Sequence, residues 1–569
     1  MTNLIERVKN WIDQDPDPET RDELAALVEE GDTDELAGRM NGTLEFGTAG
    51  IRGAVEAGSN RMNAAVVIRT TAGLADFLIA RHDGPPTSPV VVGFDARLSS
   101  QGFAGATVGV LCAAGIPVRY FASPVPTPIV AFAAKHLGAA AAIVITASHN
   151  PPADNGYKVF DENAAQIVPP VDKQIAASIA EVGEASAVPR VEKPIEDGHE
   201  LAAELGPEVY EAYWHEVSVE RPDVDGDRDL RIVYTPIHGV GWRYVDETLR
   251  RGGYGNVFAV PEQKEPDGRF PTVDFPNPEE PGALDLAFKL AEDKEAELIV
   301  ANDPDVDRLA AAIITSAGWT SLTGNQIGVL LADWILTHWR HTERPIVINS
   351  IVSTPMLASV AERHGAHFET TLTGFKWIAN AALDLKKAGI GRFAFGFEEA
   401  LGSTVGQTVR DKDGIAAGLV FADIAAYEKK QGRTLANRLA DLYRSDGLWV
   451  STQESIVRPG SEGLAEIAAA MDRLAQDLPT KLTGHRVTES IDYRTGAEER
   501  PRWLGETALV ALTLEPTGRV LVRPSGTEPK LKVYVDLRGE VGDDVAGSAA
   551  QARDKADAVA TAMTTYLDL

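Results

Sequence analysis

The sequence is poor in several features that define classes of protein. Only one cysteine, Cys112, is present among 569 residues, so no intrachain disulfide can form. No apolar stretch approaches the roughly 18 residues of a membrane span, and the N-terminal residues MTNLIERVKNWIDQDPDPET lack the uninterrupted apolar core of a signal peptide. Basic side chains number 54 against 84 acidic ones, and the net charge of -30 disfavours nucleic acid and anionic membranes as partners. We therefore expect a cytoplasmic protein, with a small and even anionic substrate still possible in a locally basic pocket.

What the sequence does contain is the rhythm of an α/β protein. Apolar runs of strand length recur, and a Gly-, Asp- or Ser-rich loop and then a helical stretch follow each of them. These runs are residues 90–94, 142–145, 231–234, 298–300 and 346–348. Because they are apolar throughout, they indicate strands covered on both faces, and functional loops tend to follow the carboxyl ends of such strands.

The C-terminal part of the chain has a different pattern. Residues 520–523 and 530–536 are typical of strands, and the Ala-rich residues 544–566 are typical of a helix. This combination predicts a smaller α+β domain at the end of the chain. Three charged or turn-rich stretches are candidate domain boundaries: residues 181–207, 316–324 and 444–463.

The first segment with chemical potential is Thr-Ala-Ser-His-Asn-Pro at residues 146–151, directly after an apolar run. A serine at a strand end is well exposed for chemistry, and the Asn-Pro pair favours a tight turn around it. The segment does not match the Gly-x-Ser-x-Gly pattern of hydrolase nucleophile elbows. Ser148 is a candidate nucleophile, and an ordinary polar turn is the alternative.

The second segment is Asp-Pro-Asp-Val-Asp-Arg at residues 303–308. Successive side chains of an extended loop alternate in direction, so three aspartates at every second position can converge on one hard cation. An EF-hand calcium loop is excluded, because its sixth position would be Arg308 instead of glycine and its twelfth Ile314 instead of glutamate. Carboxylates together with a phosphate oxygen suit magnesium, and a solvated acidic turn is the alternative.

A third segment, Arg-Pro-Ser-Gly-Thr-Glu-Pro-Lys at residues 523–530, lies between two strand-like runs. It offers a guanidinium, two hydroxyls, an ammonium and glycine N–H groups, which together suit a phosphate dianion. A plain hairpin turn is the alternative. Weaker candidates are turns with charged side chains: residues 46–53, 93–97, 373–377, 396–402 and 411–414.

Together these segments resemble the α-D-phosphohexomutase superfamily, in order along nearly the whole chain. The serine loop, the triple-aspartate loop, the glutamate loop at residues 396–402 and the terminal phosphate loop are similar to its four signature segments. Residues 275–280, 371–378 and 397–402 resemble the branch that contains bacterial α-phosphoglucomutases and animal phosphopentomutases. The resemblance implies an α/β protein of four domains around a central cleft, three related mixed-sheet α/β domains followed by an α+β domain. We predict these domains over residues 1–207, 208–322, 323–445 and 446–569.

The resemblance also implies an activity, that of a phosphosugar mutase. Ser148 would carry a phosphoryl group and exchange it with a hexose 1-phosphate or 6-phosphate, of glucose or mannose, through a sugar 1,6-bisphosphate that also acts as activator. One Mg²⁺ would be held by Ser148, Asp303, Asp305 and Asp307. Lys158 would be the general acid/base, in a partly desolvated, cationic site. The other implied residues lie beside the nucleophile, Arg52 and His149, or on the sugar and its phosphates: Arg308, Gly374, Lys376, Glu398, Lys412, Arg523, Ser525, Gly526, Thr527 and Lys530.

One departure from the family pattern concerns the sugar. Hexose mutases of the family commonly carry a serine where this chain has Ala400, beside Glu398, so one polar contact to the sugar is missing. A phosphopentomutase acting on ribose 1-phosphate is one alternative. A sugar-bisphosphate synthase or phosphatase, or a phosphosugar-binding protein, on the same fold is another, because the fold alone does not fix the function.

Overall fold

The computed structural model describes residues 2–47, 50–525 and 530–569, with the backbone alone for residues 2 and 460–462. The chain divides into two compact units. Unit 1 consists of Met1–Asp223, Asp227–Ser321 and Gly402–Ala422, and unit 2 consists of Val224–Gly226, Leu322–Leu401 and Asp423–Leu569.

Several helices begin at residues whose side chains satisfy free backbone N–H groups. Thr323 and Gln326 form a capping box, and Thr434 and Asn437 form another. No helix in the described ranges is long and apolar enough to cross a membrane. In chain order the α-helices are Thr2–Gln14, Pro18–Glu30, Thr33–Met40, Ala64–His82, Ser100–Ala113, Thr127–Leu137, Val171–Glu181, Glu208–Glu220, Trp242–Arg251, Asp285–Asp293, Gly324–Thr337, Met356–Arg363, Phe375–Lys387, Gly414–Lys430, Leu435–Asp446, Gly460–Gln476 and Val545–Leu567.

The first sheet of unit 1 is mixed and has a buried centre. Its strands lie in the order Ile51–Ala54, Asp154–Phe160, Ala141–Ile145, Val90–Phe94, Val118–Tyr120 and Ala202–Glu204. Val90–Phe94 and Ala141–Ile145 pair in parallel, and every residue of both is buried. Asp154–Phe160 is antiparallel to both of its neighbours, so Lys158 lies opposite Val144, close to the loop that carries Ser148.

The second sheet of unit 1 ends at the acidic loop. Its strands lie in the order Gly318–Ser321, Ala310–Thr315, Leu298–Ala301, Ile232–Thr235 and Val257–Ala259. Leu298–Ala301 is buried throughout, parallel to Ile232–Thr235 and antiparallel to Ala310–Thr315. Asp303 therefore follows the carboxyl end of a buried strand. The short strand Gly402–Val405 also belongs to unit 1, where Gly402 forms a bridge with Arg308.

Unit 2 contains parallel strands and a separate antiparallel sheet. His367–Thr371, Pro345–Ser350 and Arg392–Glu398 lie side by side in this order and run parallel, so Glu398 is at a carboxyl end. The paired strands of the C-terminal sheet are antiparallel, and helix Val545–Leu567 packs on that sheet. The order in the C-terminal sheet is Leu448–Val457, Lys530–Gly539, Gly518–Pro524, Val510–Glu515, His485–Asp492 and Lys481–Leu482.

The predicted fold class is confirmed, since mixed α/β sheets are followed by a C-terminal α+β part. The predicted strand at residues 90–94 coincides with Val90–Phe94, and the other four predicted strands agree to within one or two residues at each end. Cys112 is buried, and burial raises the pKa of its thiol to about 11, as suits a core residue. Each sheet lies within one of the four predicted segments, whose boundaries stay a prediction.

Candidate active site

The acidic loop of unit 1 forms a buried triad. Asp303, Asp305 and Asp307 have no exposed surface, and one carboxylate oxygen of each lies within 4.8 Å of those of the others. Their convergence was predicted, but the predicted extended loop is wrong. Residues 304–306 form a turn in which the Val306 N–H donates to Asp303 O at 2.9 Å, and Val306 has a left-handed backbone with φ of 63°. For a β-branched residue this conformation is strained, which indicates that the surrounding contacts impose it.

The triad has the electrostatics of a cation site. Burial and the charges of Asp307 and Asp305 raise the pKa of Asp303 well above its ordinary value, so positive charge beside it would favour its ionised form. Both Asp305 and Asp307 also have a buried Oδ1 to which no described residue donates. Buried carboxylate oxygens of this kind are costly unless a ligand pairs with them, so the residues present fit a bound divalent cation.

Ser148, the candidate nucleophile, lies beside this triad. Its Oγ donates to Asp303 Oδ2 at 2.9 Å. The residue is 3% exposed, so the exposure expected for a serine at a strand end is wrong: the serine loop packs against the acidic loop. It follows strand Ala141–Ile145 in a turn where its own φ is 53°, again a left-handed conformation. The Thr146 hydroxyl accepts from the Ser148 N–H at 2.8 Å and fixes this turn.

The backbone of the serine loop is bound by Arg97, a residue that sequence reasoning did not assign to the site. One terminal nitrogen of its guanidinium donates to Pro151 O and Asp154 O, and the other donates to Ser148 O and Asn150 O, at distances of 2.6 to 2.8 Å. Arg97 is 3% exposed, so these bonds form away from water. A fork of donors toward four carbonyls defines the path of the loop. The only sequence signal for this role was a charged turn at the end of strand Val90–Phe94.

His149 is neutral and contacts the serine. Burial and the charges of Arg308 and Arg52 lower its pKa well below the ordinary value. Its Nε2 lies 3.4 Å from the Arg308 guanidinium, which can only donate, so Nε2 accepts and the proton is on Nδ1. Nδ1 lies 3.2 Å from Ser148 Oγ and therefore donates to it. In this tautomer Nδ1 carries a hydrogen and has no free lone pair toward the serine oxygen.

Lys158 and Lys412 provide the positive charge nearest the triad. Lys158 Nζ donates to Asp305 Oδ2 at 2.7 Å and to Asp307 Oδ2 at 3.0 Å, and Lys412 Nζ lies 2.8 Å from Asp307 Oδ2. Burial lowers the pKa of Lys158, but the charges of Asp305 and Asp307 outweigh it and leave the pKa raised. The surroundings of Lys158 are thus desolvated as predicted, yet anionic instead of cationic.

Two arginines complete the group in unit 1. Arg52, on strand Ile51–Ala54, donates to Asn150 Oδ1 at 2.7 Å. The backbone N–H of Arg308 donates to Asp303 Oδ1 at 3.0 Å, and its guanidinium donates to Glu279 Oε2 at 3.3 Å. The structure therefore brings together the predicted residues Ser148, His149, Lys158, Arg52, Arg308, Lys412 and the three aspartates.

A second group of predicted residues lies within unit 2. The Gly374 N–H donates to Glu398 Oε1 at 2.7 Å, and Arg523 donates to Thr373 Oγ1 at 2.8 Å, so the glutamate loop and the strand before the phosphate loop meet at the same turn. Lys376 is in the first turn of helix Phe375–Lys387, and this helix begins directly after Gly374, whose φ is 107°. The Ser525 N–H donates to Lys530 O at 2.7 Å. Gly526 and Thr527 lie outside the described residues.

Glu399 stabilises the glutamate loop. From the sequence it is one of two adjacent glutamates, and only this adjacency links it to Glu398. Its Oε2 accepts from the hydroxyls of Ser350 and Ser353, each at 3.0 Å. A side chain at Gly324 would collide with the Glu399 backbone, so only glycine allows this close approach. Glu399 is thus a support for the loop, which leaves Glu398 as the carboxylate of the pair held by the Gly374 turn.

Family models match almost all of the region that carries these residues. They are the phosphoglucomutase/phosphomannomutase α/β/α domain I over residues 43–186, domain II over 211–315, domain III over 323–445 and the C-terminal domain over 482–541. The fold and these four domain matches define a phosphosugar mutase, an intramolecular phosphotransferase. The chain belongs to the phosphoglucomutase/phosphomannomutase family, which confirms the resemblance of its motifs.

Relatives within the family differ in the sugar of their names. A Haemophilus influenzae protein named "Probable phosphomannomutase" is 40% identical over 84% of this chain and 93% of its own length. A Schizosaccharomyces pombe protein named "Probable phosphoribomutase" is 37% identical over 95% of both chains. Among solved structures, a phosphoglucomutase/phosphomannomutase family protein of Burkholderia thailandensis has the same fold, with a TM-score of 0.64 and 22% identity over 91% of this chain and 97% of that one.

Proposed function

We propose that the chain interconverts hexose 1-phosphates and hexose 6-phosphates, with glucose or mannose as the sugar, through a phosphorylated Ser148 and a hexose 1,6-bisphosphate. The observation that carries the proposal is the bond from Ser148 Oγ to Asp303 inside a buried acidic triad that also contacts Lys158. An ordinary polar turn has no need of three buried carboxylates, since their burial is costly without a bound cation.

The chemistry assigned to the residues of unit 1 is phosphoryl transfer in two half-reactions. In the first, the bond between phosphorus and Ser148 Oγ breaks, and phosphorus bonds to the free hydroxyl of the sugar phosphate. The Lys158 ammonium gives its proton to the leaving Oγ and takes the proton of the sugar hydroxyl. Arg52 and Arg308 offset the charge of the transferred group. In the second half-reaction the bisphosphate returns its other phosphoryl group to Ser148, so the net result is a shift of phosphate between positions 1 and 6.

One Mg²⁺ is part of the proposal. Asp303, Asp305 and Asp307, together with an oxygen on Ser148, would hold it. When bound, the ion supplies positive charge that keeps the carboxylates ionised and stabilises the charge of the transferred phosphoryl group.

The sugar and the phosphate that is not transferred are assigned mainly to unit 2. Lys376 and Glu398 would contact sugar hydroxyls, with Lys412 of unit 1 as a further contact. The phosphate would be held by Arg523, Ser525, Gly526, Thr527 and Lys530. The support for this assignment in unit 2 is the shared turn at residues 373–374, which both Glu398 and Arg523 contact.

A phosphopentomutase acting on ribose 1-phosphate is the second candidate, and two observations favour it. Ala400 directly follows the glutamate pair and offers no hydroxyl to a hexose. The relative named "Probable phosphoribomutase" is also similar over more of this chain than the one named "Probable phosphomannomutase".

Turnover of glucose, mannose and ribose 1-phosphates, each with a trace of the matching bisphosphate, tests the proposal. Ser148→Ala should abolish all turnover, and intact-mass measurement should find a labile phosphate on part of the wild-type protein and none on the variant. Ser123→Ala, which changes an exposed serine of the same unit, is the control and should keep full activity. Sustained turnover by Ser148→Ala would contradict the covalent mechanism. In a parallel assay with an added acyl phosphate as phosphoryl donor, bisphosphate that accumulates without isomerisation would identify a synthase.

A further inference from the structure

The two oxygens of Asp305, and likewise those of Asp307, lie in different surroundings. Asp305 Oδ2 accepts from Lys158 Nζ at 2.7 Å and from Thr127 Oγ1 at 2.6 Å. Asp307 Oδ2 accepts from Lys158 Nζ at 3.0 Å and lies 2.8 Å from Lys412 Nζ. Within the described part of the chain, Oδ1 of neither carboxylate has a donor. Each side chain therefore has one oxygen held by the protein and one left for a ligand.

Thr127 holds Asp305 at two points. It is the first residue of helix Thr127–Leu137 and has no exposed surface. Its backbone N–H donates to Asp305 O at 2.9 Å, and its hydroxyl donates to the side-chain Oδ2. Bonds to both the backbone and the carboxylate leave Asp305 little freedom to rotate, and partners of this kind set the orientation of metal ligands.

Lys158 cannot impose the same constraint. Its Nζ is at the end of a flexible chain, is shared between Asp305 and Asp307, and exchanges protons in the proposed reaction. Thr127 is β-branched, stiff at its first side-chain torsion and fixed at a helix start. The hydroxyl of Thr127 is thus the permanent donor to Asp305 Oδ2.

We propose that Thr127 is a positioning residue that limits Asp305 to one oxygen toward the cation and thereby favours Mg²⁺ over Ca²⁺. Mg²⁺ demands six ligands in near-ideal octahedral geometry, which single oxygens supply. Ca²⁺ takes up to eight and often uses both oxygens of a carboxylate, so it loses a ligand when Oδ2 is already bonded. The inference rests on the proposed function, because it concerns the metal of that site.

Thr127→Val tests the proposal, because valine keeps the shape and the branch and removes only the hydroxyl. Full-length protein freed of metal with a chelator is titrated with Mg²⁺ and with Ca²⁺ by calorimetry, after intact-mass measurement shows the same state of Ser148 in every sample. Loss of an outer partner weakens metal binding about 10- to 100-fold. We expect the Kd of Mg²⁺ to rise about tenfold in the variant and the Kd of Ca²⁺ to change much less. The Kd of Ca²⁺ divided by the Kd of Mg²⁺ should therefore fall about tenfold. Thr248→Val removes a buried hydroxyl bonded to Tyr244 O and should change neither constant.

The outcomes separate this inference from the function on which it rests. Wild-type protein that binds neither cation sinks the metal assignment and the inference together. If the wild type prefers Mg²⁺ and Thr127→Val has the same ratio of Kd values for the two cations, the inference alone is wrong. An equal loss of affinity for both cations leaves that ratio unchanged and contradicts the inference in the same way. If Thr127→Val does not fold, Thr127→Ser and Thr127→Ala replace it, and the serine variant must keep the preference while the alanine variant loses it.

Discussion

Asp413 provides a test whose size follows from the structure. Its buried carboxylate accepts from the Tyr213 hydroxyl at 2.8 Å and from the N–H groups of Ile415 and Ala416, in the first turn of helix Gly414–Lys430. Burial raises the pKa of Asp413 from the ordinary 3.8 to about 6, although these bonds lower it. The native protein thus holds this proton more tightly than the unfolded chain does, by about 3 kcal/mol. Because the folded pKa is raised, this stability is present below about pH 4 and is lost as the pH rises through 6.

Asp413→Asn should remove this dependence, because asparagine stays neutral and can still accept from the two N–H groups. We expect the free energy of unfolding of the wild type, relative to the variant, to fall by up to about 3 kcal/mol between pH 4 and pH 7. Urea unfolding at a series of pH values measures both proteins. Asp285→Asn, at an exposed position in the first turn of helix Asp285–Asp293, should follow the wild type. A constant difference between wild type and Asp413→Asn over this range would refute the reasoning.

Three further predictions concern activity. Excess chelator should stop turnover, Mg²⁺ should restore it and Ca²⁺ should support it poorly, whereas full activity in chelator would contradict the metal assignment. Ala400→Ser should raise kcat/KM for hexose 1-phosphates several-fold, which corresponds to on the order of 1 kcal/mol. Ribose 1-phosphate should benefit less, because its smaller ring places fewer hydroxyls in reach of this position. An equal effect on all three sugars would show that other residues determine the specificity. Glu279→Gln should lower kcat/KM by at most about fivefold, because its ion pair with Arg308 is partly exposed, and Glu280→Gln should change nothing. A similar loss in both glutamate variants would show that the ion pair is not the cause.

The strands and the loops that follow them could be predicted because burial on both faces leaves a local signal. Val90–Phe94 and Leu298–Ala301 are apolar at every position, and the sequence therefore marks where each strand ends. Ser148 and Asp303 become candidates because they follow such ends. In the structure Ser148 Oγ lies 2.9 Å from Asp303 Oδ2, although the two residues are 155 positions apart in the sequence. Local patterns could not predict this proximity, and only the family resemblance implied it.

The supporting residues leave no such signal. Arg97 acts on carbonyl groups that any sequence would present, and Thr127 is an ordinary helix start until Asp305 lies beside it. The surroundings of Lys158 also depend on long-range packing, because the carboxylates that surround it come from a different sheet. Sequence patterns report local periodicity, whereas these contacts depend on how separate elements pack.

The strain in unit 1 explains why such supports are needed. Ser148 and Val306 both adopt a left-handed backbone, which costs a residue other than glycine on the order of 1–3 kcal/mol. Arg97 binds four carbonyls of the serine loop, and the Gly414 N–H donates to Val306 O at 3.1 Å, where a side chain on Gly414 would collide with Arg308 O. Ser148 and Val306 are therefore each held by a contact from another part of unit 1. The same contacts place Ser148 Oγ and the three carboxylates, so the stability of these turns and the geometry of the proposed phosphoryl transfer depend on the same residues.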